Sequence, residues 1–154
     1  MLTQTRNDGD FAFTLSTIDI ESILEGAQAP GQGAVVFMLG TVRDNTAGRA
    51  VAFLEYEAYE PMALRVFAQI ADQIRARWPG TGKVAIHHRL GKLRIREVSV
   101  VVAVGQPHRA EAFAACQYAI DTLKHNAPIW KKEHWTDGAS AWVSIGACDD
   151  QHGQ

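Results

Sequence analysis

The sequence predicts an α+β fold with a largely antiparallel or mixed sheet, on three observations. Apolar stretches of strand type come mostly in pairs, and segments of helical period separate the pairs. Short, sharp turn signals divide them: Ala-Pro-Gly-Gln-Gly at 29–33, Pro-Gly-Thr-Gly at 79–82 and Asp137-Gly138. Neither a GxGxxG pattern nor a P-loop is present, which argues against a doubly wound nucleotide-binding sheet.

The elements follow in order. Residues 11–15 (FAFTL) alternate and read as a short strand. Ser16 or Thr17 caps a helix running to about Ala27, with Asp19 and Glu21 in its first turn. Residues 34–40 (AVVFMLG) are continuously apolar, the signature of a buried strand. A polar loop at 43–49 leads to a strand at 50–59. Glu60 and Pro61 open a helix whose Ala63, Val66, Phe67, Ile70, Ile74 and Trp78 recur at helical spacing. Two strands, at 83–90 and 97–105, are joined through a basic connector, 91–96. A long helix starts near Pro107 and carries a core stripe of Ala112, Phe113, Cys116, Ala119, Ile120 and Leu123. Asp-Gly then joins two final strands, 129–135 and 140–145, as a hairpin.

The chain has 154 residues, 47% of them hydrophobic, which suits one domain over 1–146 with a polar, flexible tail at 147–154. A net charge of −2 argues against a nucleic-acid partner. No apolar leader or membrane-length stretch is seen, so the expected location is the cytoplasm. Cys116 and Cys148 are far apart and in no metal-ligand spacing, and no metal site is expected.

An anion site in such a chain must be a local cluster, and three places offer one. The first is the corner DTLKHNAPIWKKEHW (121–135). Lys124 ends a helix, Pro128 turns the chain, and Lys131 and Lys132 follow in a strand. A lysine in the last turn of a helix is often placed there simply to oppose the dipole. Adjacent strand residues face opposite ways, so at most one of Lys131 and Lys132 joins Lys124 and the other is solvated. Two ammonium groups held close disfavour each other's charge, which suits a base or nucleophile. The second is His108-Arg109 at the start of the long helix, where free N–H groups and an Arg fork favour an anion. The third is Arg43, in the loop after the apolar strand. Sixteen positions separate His108 from Lys124, about 24 Å along one helix. One small ligand touches both only if two subunits share a site, which predicts a homodimer.

With these clusters laid out, the chain resembles the catalytic (large) subunit of molybdopterin synthase. The matching stretches are GAVVFMLGTVRDNTAGRAVAFLEYEAYEPM, RWPGTGKVAIHHRLGKL, QPHRAEAFAACQYAIDTLKHNAPIWKKE and the late AWV, covering most of Gly33 to Val143. The resemblance implies an α/β hammerhead fold with an added small antiparallel β subdomain. It implies a sulfurtransferase that converts cyclic pyranopterin monophosphate (precursor Z) to molybdopterin in molybdenum cofactor biosynthesis. Sulfur comes from a thiocarboxylate at the Gly-Gly C-terminus of a small ubiquitin-like subunit. Two large subunits form a homodimer and two small ones complete a heterotetramer, with no cofactor in this step. Carried over by position, Lys124 and Lys131 are catalytic, and Arg43, His108, Arg109, Thr41, Val42, Lys132 and Glu133 bind substrate. Thr41 stands where the family usually has Lys, and Ala141 where many members have Arg. Two other readings fit parts of the pattern: a non-catalytic module that docks a ubiquitin-like tail, and a lysine enzyme forming a Schiff base with a phosphorylated carbonyl compound.

Overall fold

The computed structural model describes residues 3–6 and 9–145. Cys148 and the tail expected at 147–154 lie outside the described residues. The order is β1 (Thr3–Arg6), β2 (Gly9–Thr14), α1 (Ile20–Ala27), β3 (Ala34–Thr41), β4 (Asn45–Thr46), β5 (Arg49–Ala58), α2 (Glu60–Arg77), β6 (Val84–Arg89), β7 (Gly91–Arg94), β8 (Val98–Gln106), α3 (Arg109–Asn126), β9 (Ile129–Trp135) and β10 (Ser140–Ser144). The α+β expectation holds. One sheet runs β1-β2-β6-β8-β3 and is mixed, since β2 and β6 are parallel. The other, β10-β9-β5-β4 with β7 on β5, is antiparallel throughout.

The helices α2 and α3 cover one face of the first sheet, and the second sheet closes on the same core. Phe13, Phe67, Ile70, Ile74, Val84, Ile86, Val102, Leu123, Leu54, Leu93 and Ile129 meet there. The short α1 covers the opposite face through Ile23 and Ala27 against Ala85, Val101 and Ala103. Strand β8 is buried along nearly its whole length because helices lie on both sides of it.

Several local expectations are corrected. Asp19, not Ser16 or Thr17, caps α1, its carboxylate accepting from the Ser22 N–H at 3.1 Å. β3 is not a buried strand. It forms the sheet edge, and its Phe37 is 44% exposed. Phe113 is 63% exposed, and Ala115 takes its place in the core stripe of α3. The supposed loop at 43–49 contains the β4–β5 hairpin, with Ala47 (φ 51°) and Gly48 (φ 82°) both left-handed at its tip, as a primed two-residue turn demands. The basic connector 91–96 contains β7, whose Leu93 is fully buried opposite Leu54.

Gly40 marks where β3 leaves its ladder. The register slips between Gly40 and Thr41, a bulge that turns Thr41 and the following chain away from the edge. A Cβ on Gly40 would sit 2.6 Å from Val100 Cγ1. Gly40→Ala is therefore expected to cost about 1–3 kcal/mol by overpacking, read as a lower urea midpoint with an unchanged slope.

Candidate active site

The turn at Pro128 builds the site. Pro128 forbids helical backbone at Ala127, which is extended (φ −76°, ψ 134°) and closes α3 by donating to Leu123 C=O. Pro128 C=O then accepts from the Tyr59 N–H, which ties the corner to the end of β5. In β9 the residues that face the core are Lys131 and Glu133, paired across β5 with Tyr56 and Leu54. Lys124 in the last turn of α3 meets them.

A cavity of about 240 Å³ lies between these elements. Lys124, Lys131, Arg43, Thr41, Thr46, Tyr56, His88 and Glu133 line it, with Met38, Leu54, Ile120 and Leu123 as apolar wall. It thus gathers five of the residues expected from the sequence: Lys124, Lys131, Arg43, Thr41 and Glu133. Glu133 is only 2% exposed. Its carboxylate accepts from Thr46 Oγ1 at 3.2 Å and lies 3.8 Å from Lys131 Nζ, an ion pair rather than a close hydrogen bond. Ala141 sits directly opposite Glu133 on β10, so the small residue leaves that carboxylate to Lys131 and Thr46.

The remaining candidates lie elsewhere. Lys132 points to the other face of β9, its ammonium 5.9 Å from the Trp142 ring. The Val42 side chain is core, and its N–H and C=O are taken by Glu97 and Arg96. The turn holding them is braced by Glu97, whose carboxylate accepts the Arg94 N–H and then Arg89. Both hold it below the usual carboxylate range. His108 and Arg109 open α3 at its far end and line a separate open groove with Gly33, Ala34, Pro107, Ala110 and Glu111. His108 is the N-cap but makes no side-chain cap bond. Cys116 is buried, and burial pushes its thiol up to about 11, which leaves it inert packing.

Sequence reasoning passed over His88. Its ring is buried, and burial lowers its pKa to about 4, so it is neutral at physiological pH. The signal was present: His88 continues the face of Val84 and Ile86, so it had to point inward. The consequence for stability has a definite sign. The unfolded chain takes up the proton first, so the contribution is complete above pH 6.5 and is lost as pH falls from 6.5 toward 4. The loss is about 3 kcal/mol. His88→Met is expected to flatten that part of the stability curve, measured by urea unfolding at several pH values.

Known proteins resemble this chain in sequence and in fold. The family model described as MoaE protein matches residues 13–126. A relative from Nostoc sp. (strain PCC 7120), "Molybdopterin synthase catalytic subunit", is 60% identical over 147 residues, 96% of this chain and 88% of the relative. The crystal structure of molybdopterin synthase from Staphylococcus aureus superposes with a TM-score of 0.81 at 45% identity, over 85% of this chain and 94% of that one. A Helicobacter pylori structure, described as a complex of subunits 1 and 2 of molybdopterin-converting factor, shares the fold. Its TM-score is 0.72 at 23% identity, over 86% of this chain and 89% of that one.

Proposed function

The chain belongs to the MoaE protein family, whose curated relatives are molybdopterin synthase catalytic subunits, and from that premise we propose how it acts. It transfers two sulfurs, one from each of two C-terminal thiocarboxylates of a small ubiquitin-like partner, to cyclic pyranopterin monophosphate, forming the dithiolene of molybdopterin. Each new C–S bond displaces an oxygen, and water then cleaves the acyl–sulfur bond to leave the partner a carboxylate. The observation that carries this reading is the convergence of Lys124, Lys131 and Arg43 on one cavity with a single buried carboxylate. Three cations fit the thiocarboxylate and the negative charge that develops on the departing oxygen. Lys124 orients the thiocarboxylate and offsets the charge that develops as its sulfur attacks a side-chain carbon of the pterin. Lys131 serves proton transfer or the departing oxygen. Apolar walls of Met38, Leu54 and Leu123 limit water, which would hydrolyse the thiocarboxylate.

The cavity's size supports a shared site. A volume near 240 Å³ takes the reacting ends of two ligands but not a whole pterin beside a peptide tail. The phosphate end then lies outside, against His108 and Arg109 of a second copy, whose groove is empty of Lys124 and Lys131. The exposed Phe37 on edge strand β3 and the exposed Phe113 of α3 support self-association. The Helicobacter pylori protein of the same fold is described in complex with a second subunit, which is in keeping with a protein partner here.

The reading is tested by mixing this protein, the thiocarboxylated partner and cyclic pyranopterin monophosphate, and following the oxidised fluorescent derivative of the product. Product is expected only with all three. Its absence, with the complex formed, would leave a docking module. The shared site has its own check. Lys124→Ala and Arg109→Ala chains, each inactive alone, should regain about a quarter of the activity when mixed as dimers, since one intact site forms in each hybrid. No recovery would place both clusters within one subunit's site.

A further inference from the structure

We propose that His88 is a specificity-determining residue of the cavity, its Nε2 lone pair accepting a hydrogen bond from a ring N–H of the bound pterin. The inference rests on the reading that this cavity receives the reacting end of the pterin.

The tautomer follows from local geometry. His88 Nδ1 lies 2.8 Å from the Arg89 carbonyl oxygen, which can only accept, so the proton is on Nδ1. The other nitrogen, Nε2, is left with a lone pair. Among the described residues no side chain or backbone group donates to it. Nor is it one of the sealed nitrogens without a partner, as Trp135 Nε1 is. The residue is 3% exposed, yet it forms part of the cavity wall. Tyr56 meets the ring edge-on at 4.9 Å between centroids, and Phe13 lies at 6.2 Å, so the ring is held against rotation.

The surroundings set what this nitrogen selects. Lys124, Lys131 and Arg43 donate, and Glu133 is already occupied by Lys131 and Thr46. An oxyanion gains nothing from a lone pair and is held by the cations. The cations suit the partner's thiocarboxylate and the departing oxygen, so the lone pair is left to select a neutral N–H donor. A pterin ring brings such donors, whereas inorganic phosphate at neutral pH brings chiefly acceptors.

The test uses the full chain in complex with its partner. In the imidazole nitrogen spectrum, the His88 Nε2 resonance is expected to move when cyclic pyranopterin monophosphate is added, and to stay when inorganic phosphate is added. In parallel, His88→Met should weaken pterin binding about tenfold, while His88→Gln, whose Oε1 restores an acceptor, should keep it within about threefold. Phosphate binding should be equal in all three. An Nε2 resonance that ignores the pterin, or one moved instead by the partner's tail, overturns the proposal. So does undiminished pterin affinity in a folded His88→Met chain. Should that variant fail to fold, the wild-type spectrum decides alone. Wild-type complex that does not bind the pterin defeats the reading of the cavity itself, whereas binding with a silent His88 defeats only this inference.

Discussion

Lys124→Ala is expected to lower product formation by about two to three orders of magnitude while leaving folding and partner binding intact. The lysine stands where helix α3 ends, half-buried on the cavity wall. Its charge is the one carried into the cavity by the helix; Lys131 and Arg43 enter from β9 and from the loop after β3. Truncation removes the cation without touching the packed stripe of Ala119, Ile120 and Leu123 on which the helix rests. The loss should fall on the chemical step. Single-turnover rates should drop while the affinity of the complex for its partner, read by titration calorimetry, stays within a few-fold. Lys124→Arg should recover only part of the rate, because a planar guanidinium forks its donors and cannot set its charge where the compact ammonium sits. Wild-type turnover in Lys124→Ala would move the chemistry out of this cavity.

Glu133→Ala should be the most damaging change to stability in the site, at about 2–4 kcal/mol. The carboxylate is almost wholly buried and sits against the Lys131 ammonium, whose side chain is only 13% exposed. Removing the anion leaves that ammonium facing Lys124 and Arg43 across a small cavity. Glu133→Gln keeps the shape and an acceptor for Thr46 and should separate the charge from the packing. Urea unfolding gives the stability and the three-component assay gives the activity; both are expected to fall, the glutamine variant less in stability than the alanine. A Glu133→Ala chain as stable as the parent would mean that Lys131 is compensated by other means.

How much of this was legible in the sequence depends on the kind of signal. Elements that bury a continuous or periodic apolar face were readable: α2, α3, β6 and β8 lie where the pattern put them. What failed were elements whose residues carry no such face. β1 is Thr-Gln-Thr-Arg at a sheet edge, and β4 is two residues closed by a left-handed Ala-Gly tip. The alternation in β7 was there in Lys92-Leu93-Arg94, but the basic residues masked it. Phe113 was misplaced because helical period fixes a stripe only to within a neighbouring position, and Ala115 fitted the interior as well. In the site, strand parity correctly divided Lys131 from Lys132. The convergence of Arg43 and Glu133 on Lys124 was not readable from spacing. It depends on how two sheets close over one another, and the family resemblance carried it. His88 was passed over because a lone strand histidine carries no spacing signal, although its parity with Val84 and Ile86 turns it inward.

The most direct measurement is a single turnover with isotopically labelled sulfur in the partner's thiocarboxylate, with two equivalents of partner to each equivalent of cyclic pyranopterin monophosphate and this protein. The account predicts that label leaves the partner's C-terminus and appears in the dithiolene product, and that Lys124→Ala leaves it on the partner. Product carrying unlabelled sulfur, or label transferred equally well by Lys124→Ala, would contradict it.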